Sequence, residues 1–237
     1  MMAVRVVVVF ALAIVAHGNV LQDETVDGLL GEQASAGAHH LFDSLDDSAV
    51  SGMTQYTRWG KTMCPGDAVL VYKGIMAGSW YSHSGSGSNF LCLPEDPEWM
   101  EYSDATDGQR GFVAGAEYET DRNAPFAIHD QHDAPCAVCA IPRGTSLMIP
   151  AKMSCPTGWI QEYSGYLMAA KYSHRRTDFV CVDVEAQHED GGDANNNGAL
   201  LYLVEGRCNY NLPCPPYVNG RELTCVVCSA GVKPVTT

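Results

Sequence analysis

Positive charge is what this chain most lacks: 14 Lys and Arg stand against 28 Asp and Glu, a formal charge of −14. A chain this acidic does not bind nucleic acid or anionic membrane through bulk charge. It suits cations, basic partners or plain solubility. Long apolar runs are missing as well. The one unbroken run, Val6 to Val15, is ten residues long, half of the roughly twenty that span a bilayer, so no membrane span is expected. After Tyr56 no segment carries a sustained 3.6-residue apolar period with caps, so helices should be few. The motifs of catalysis are also absent: no nucleophile elbow, no His-Glu-x-x-His and no Gly-rich phosphate loop. No spacing ties a serine to a histidine as nucleophile and base. The chain is not expected to be an enzyme or to carry a cofactor. It has no Arg-Gly-Asp and no Asn-x-Ser/Thr, so integrin binding and N-glycan display gain no support.

What is present begins with a targeting signature. Arg5 precedes the apolar run, and Ala16-His17-Gly18 follows it, the pattern of a secretory signal peptide over 1–18, cut after Gly18. Arg5 is the only charged residue removed, which takes −14 to −15. The rest should be secreted and extracellular. Ten cysteines lie between Cys64 and Cys228, and an even number in an exported chain reads as a disulfide framework. Residues 19–55 are acidic and small, with no cysteine, and read as a linker or processed pro-segment. The apolar pairs Leu29-Leu30 and Leu41-Phe42 within it offer at most a brief helix or an association segment.

From Tyr56 the chain repeats itself. The first copy runs Cys64-Pro65-Gly66, Tyr72-Lys73-Gly74, Tyr81-Ser82-His83, then Asn89-Phe90-Leu91-Cys92. The second runs Cys155-Pro156-Thr157-Gly158, Tyr163-Ser164-Gly165, Tyr172-Ser173-His174, then Asp178-Phe179-Val180-Cys181. Gly115-Ala116-Glu117-Tyr118 answers Gly198-Ala199-Leu200-Leu201-Tyr202, and each copy closes on C-x-x-C, at Cys136 to Cys139 and Cys225 to Cys228. The runs Ala68 to Tyr72, Phe179 to Val184 and Leu200 to Val204 are short, β-branched or aromatic, and bounded by turn residues, as strands are. Ser84 to Ser88 reads as a Gly-rich turn, and Asn195 to Gly198 as a tight hairpin turn. The expected fold is all-β: a tandem, pseudo-twofold, duplicated disulfide-rich β-sheet module with few helices and one shared core. Its repeats should span 56–141 and 142–230, with a flexible tail at 231–237.

Four cysteines per copy follow the order C-P, C, C-x-x-C. Two C-x-x-C pairs would suit zinc in a cytosolic chain, but each has a symmetric partner cysteine and follows a signal peptide, so bridges are favoured and no metal is expected. A thioredoxin-like role needs a strand-to-helix start that lowers the thiol pKa, whereas these pairs lie in β-like surroundings. Cys208 and Cys214 are close enough to close a small hairpin on themselves.

The duplicated layout, with the opening Tyr56-Thr57-Arg58-Trp59-Gly60-Lys61, the run Leu91 to Glu98 and the phrase Pro216 to Cys225, resembles the C-terminal non-collagenous domain of type IV collagen. It is closer to that of the invertebrate short-chain collagens and their collagen-free relatives. The likeness covers about Tyr56 to Ser229; type IV halves are longer and carry six cysteines each. By position it implies the bridges Cys64–Cys139, Cys92–Cys136, Cys155–Cys228 and Cys181–Cys225, with Cys208–Cys214 closing the hairpin. Each long bridge closes several tens of residues, worth about 3–5 kcal/mol by chain entropy. No Gly-X-Y run occurs, so the chain itself forms no triple helix. The resemblance implies a structural, non-enzymatic extracellular-matrix module whose partners are matrix proteins or further copies of itself.

His83 and His174, matched across the repeats, are the candidate ligand-binding pair. His129-Asp130-Gln131-His132-Asp133 offers two ligands for zinc or calcium but reads as a solvated acidic loop, because no third ligand is set by spacing. Glu189-Asp190-Gly191-Gly192-Asp193 would hold calcium only loosely. Trp80, Trp99 and Tyr217 are candidate interface anchors. The alternative function is a soluble extracellular recognition protein, lectin-like or an immune binder.

Overall fold

In the computed structural model, residues 52–120 and 125–231 are described. The expected signal peptide, nearly all of the linker and the 232–237 part of the tail lie outside them. Ten strands follow one another: β1 (Thr54–Trp59), β2 (Val69–Gly78), β3 (Leu91–Pro94), β4 (Ala114–Tyr118), β5 (Pro135–Ile141), β6 (Ser146–Pro150), β7 (Trp159–Ala169), β8 (Val180–Asp183), β9 (Ala199–Leu203) and β10 (Thr224–Ala230). The only helical pieces among the described residues are two 3₁₀ turns, Ala127–His129 and Cys208–Tyr210. The protein is all-β. β1 starts at Thr54, two residues inside the stretch read as linker.

The same four antiparallel pairings occur in each copy. β1–β5, β2–β5, β2–β3 and β2–β4 in the first correspond to β6–β10, β7–β10, β7–β8 and β7–β9 in the second. The repeated sequence explains this: alternation and turn residues recur in order, so each copy pairs its strands alike. Gly74 and Gly165 hold matched places, opposite Pro94 and Asp183. There a Cβ would collide with the Leu93 and Val182 carbonyls respectively, so only glycine lets the neighbouring strand approach.

Two parallel seams join the copies: β1 with β8 at Trp59 and Val182, and β4 with β9 over Ala116–Tyr118. The strand order β7-β8-β1-β5-β2-β4-β9 returns to β7 and closes a circuit. In place of one shared core there are two apolar clusters, each drawing on both copies. Met76, Tyr118 and Cys136 pack with Met168, Val182 and Leu201. Tyr56, Cys139 and Ile141 pack with Tyr163, Cys181 and Cys225. Alternation along the strands separates the two clusters: Val180 and Val182 of β8 enter the first cluster and Cys181 between them the second, so the clusters lie on opposite faces of the sheet.

The bridges are Cys64–Cys139, Cys92–Cys136, Cys155–Cys228, Cys181–Cys225 and Cys208–Cys214, the five pairs the resemblance implies. Corresponding bridges span 75 and 73 residues, and 44 and 44. Two local expectations are corrected. Cys208–Cys214 closes a 3₁₀ turn ending at Asn211 in the left-handed region, not a hairpin. Asn197-Gly198 is no hairpin turn either, because β8 and β9 are not partners. Instead the Asn196 and Asn197 N–H groups donate to Glu117 Oε2 (3.2 and 3.1 Å). Gly198 lies where a Cβ would strike the Gly115 carbonyl. The loop is drawn to a buried carboxylate, and this satisfies it better than a turn of its own would.

Candidate functional site

The candidate histidines do not converge. His83 stacks on Trp80 and stands near Phe112, both at 5.8 Å between ring centres. His174 instead meets Tyr81 at 4.8 Å and Tyr202 at 5.5 Å. Trp80 and Tyr81 stack on each other at 5.8 Å, so the two imidazoles occupy one aromatic ridge but touch different members of it. The repeat places them alike in sequence; the two loops then dock side by side, with Arg175 N–H donating to the Tyr81 carbonyl. Beside His83, Ser84, Gly85, Ser86, Arg110 and Phe112 line a shallow pocket of about 240 Å³.

Under the ridge lies a group of ionisable side chains that the spacing did not reveal. Glu117 is 2% exposed, and its Oε1 meets no hydrogen-bond partner among the described residues. Burial, then the neighbouring Glu117 and Asp130, hold the Glu119 carboxyl above its usual range. Burial and Glu119 push the Tyr202 phenol up to about 12. Burial, then the Lys171 ammonium, lower His174, whose buried Nδ1 has no hydrogen-bond partner among the described residues. Glu117 lies on β4 and Glu119 just beyond its end.

The stretch from His129 to Asp133 is not a solvated loop. His129 is 6% exposed, and its Nδ1 lies 2.8 Å from His188 Nδ1. Burial, then the neighbouring His188 and His132, hold the His129 imidazole below its usual range. Nothing in the sequence links His188 to a motif 59 residues earlier; the β4–β9 seam and its flanking loops bring them together. Glu189 to Asp193 is a backbone clasp rather than a carboxylate cradle. Glu189 N–H donates to the Asp133 carbonyl, and Asp133 N–H to that of Gly192.

Of the expected anchors, Trp99 is 75% exposed, while Trp80 and Tyr217 are half-buried. Among the described residues no serine or threonine hydroxyl is bonded to a histidine, and every described cysteine is bridged. Bridged cysteines are a state of oxidising compartments. No described helix is long and apolar enough to cross a membrane.

A second feature is an asymmetry of edges. The β1–β8 seam joins one strand of each copy, and its mirror image would be β6 against β3. Among the described residues that pairing does not occur: β6 pairs only β10, and β3 only β2. By register, Leu91, Cys92, Leu93 and Pro94 correspond to Val180, Cys181, Val182 and Asp183. All of β8 is buried, but Leu91 and Leu93 are 43% and 36% exposed. At the places equivalent to Arg58 and Asp183, which are ion-paired in the seam (2.6 Å), the free edges carry Ile149 and Pro94. An open groove of about 260 Å³ runs beside β6, lined by Tyr56, Leu147, Met148, Tyr163, Phe179 and Val180 among others. The fold and these features define an all-β, five-bridge protein with two apolar free edges. No protein-family model matches the chain.

Proposed function

We propose that this is a secreted, non-enzymatic structural protein of the extracellular matrix that works by assembling with further copies of itself. The proposal follows the resemblance to a collagen terminal module. The observation that carries it is the unpaired β3 and β6, whose counterparts in the repeat, β8 and β1, already pair within the chain. A free strand edge is normally blunted with charge. These two instead carry Leu91 and Leu93, and Leu147, Met148 and Ile149. The occupant is therefore a second copy, whose β6 lies along β3 as β1 lies along β8. Such a contact is head-to-tail and closes into a ring or extends into a fibre. An apolar pair replaces the Arg58–Asp183 bridge, so association should tolerate salt.

Light scattering on the eluting, disulfide-intact protein tests this. A discrete oligomer that persists in 1 M salt and with chelator, and dissociates in Leu93→Lys and Leu147→Lys, is the expected result. A monomer at all concentrations would overturn it. The recognition alternative rests on the aromatic ridge and the His83 pocket; a monomer retained on glycan through that ridge, and released by Trp80→Ala, would favour it.

A further inference from the structure

Three histidines meet at one rim of the molecule. His129 ends a 3₁₀ turn, His132 follows it, and His188 arrives on the loop after β8. The His188 ring centre is 5.1 Å from that of His129 and 4.4 Å from that of His132. Both supporting segments are pinned by backbone bonds. Tyr118 N–H donates to the His132 carbonyl, Gln131 N–H to that of Tyr118, and Gln187 N–H to that of Gly60. The Tyr118 hydroxyl also donates to the Gln187 carbonyl at 3.1 Å, so one buried ring braces both sides.

The outer face of one ring is held as metal-binding imidazoles are held. His132 Nδ1 lies 2.8 Å from the Asp130 carbonyl. A carbonyl only accepts, so that nitrogen carries the proton and Nε2 keeps its lone pair. At the Nδ1 contact between His129 and His188 one nitrogen donates and the other accepts, and an ion bound there takes the place of that single proton. Two imidazole nitrogens on a zinc or copper ion at about 2.0–2.1 Å stand roughly 2.9–3.4 Å apart. The Nδ1 pair at 2.8 Å needs to open by only tenths of an ångström. His129 is buried, His132 half-buried and His188 exposed, so an ion can enter from the His188 side. Asp133, Glu189 and Asp190 nearby favour a cation.

We propose that His129 and His188 chelate a divalent transition-metal ion of borderline softness, of the zinc, nickel or copper class, and that His132 is recruited as a third ligand. No group of three such side chains is already arranged for an ion among the described residues. Two nitrogens are in place, His132 must turn inward, and water fills the remaining positions. All-nitrogen imidazole donors select this class of ion over calcium and magnesium, which take oxygen. The site does not depend on the role of the β3 and β6 edges.

The test is calorimetric titration of the disulfide-intact chain with zinc, nickel and copper chlorides, with nitrogen hyperfine structure read from the copper complex. One ion per chain is expected, with at least two imidazole nitrogens bound to copper. His188→Ala should weaken binding at least tenfold; its side chain is exposed, so the fold should survive. His132→Ala should weaken it less, and His83→Ala not at all. No saturable binding, binding unchanged in His188→Ala, or equal loss in His83→Ala would each overturn the proposal.

Discussion

Removing the Arg143 guanidinium should destabilise this protein more than any change at its surface. Arg143 lies in the short connection between the copies and is 5% exposed. Its Nη2 is 2.8 Å from Glu162 Oε1, and its Nε donates to Ser229 Oγ at 2.7 Å. Its two Nη atoms reach both Asp67 oxygens at 2.8 Å. Glu162 also accepts from Ser229 (2.5 Å) and from the Tyr56 hydroxyl (3.2 Å). Burial and this carboxylate push the Tyr56 phenol well above its ordinary range. Arg143→Met would leave Glu162, with a side chain 3% exposed, as a buried carboxylate without its cation. Removing one partner of a buried pair costs about 3–5 kcal/mol. For a chain of this size that lowers Tm by about 6–20 °C. Glu162→Gln should cost less, because Arg143 keeps Asp67 beside it. The double variant should recover about 1–3 kcal/mol relative to the sum of the singles, the coupling expected of contacting residues. Guanidinium denaturation at pH 7 with bridges intact measures all three. An Arg143→Met cost below 1 kcal/mol, or strict additivity, would refute the argument.

Gly165→Ala should lower stability by roughly 2 kcal/mol or more by forcing β8 from β7, and Gly74→Ala should do the same at β3. Equal stability of Gly165→Ala and wild type would show that the close approach is not required. The Arg143 hydrogen bonds hold the Asp67 carboxyl below its ordinary 3.8. Its contribution is therefore present above about pH 4 and is lost as pH falls through the depressed value. Asp67→Asn should melt below wild type at neutral pH, with the two curves meeting in acid; a gap that widens in acid would contradict the sign. Arg58→Met should loosen the β1–β8 seam, because Arg58 also donates to the Met63 carbonyl at 2.9 Å. Faster amide exchange at Val182 would report it, and unchanged exchange would refute it.

Strand content was legible in the residues because alternation, β-branching and bounding turns are local properties. The matched pairings follow from the duplication, and the bridges from a resemblance carried over cysteine by cysteine. What stayed hidden depends on contacts between distant segments. Asn197-Gly198 has hairpin chemistry, but Glu117, 80 residues before Asn197, accepts from the Asn196 and Asn197 N–H groups. His188 sits in an acidic run that looks solvated until the seam strands bring it to His129. Arg143 looks like an ordinary connector residue, yet it satisfies a buried carboxylate from β7. The sequence by itself determined an all-β chain of two like copies with paired cysteines, since periodicity and repetition are written along it. Only the tertiary structure decided that the copies interlock through β1–β8 and β4–β9, that β3 and β6 stay unpaired, and which histidines touch. Closing the circuit satisfies one seam per strand pair, and a duplicated sequence cannot state which of two equivalent seams forms inside the chain.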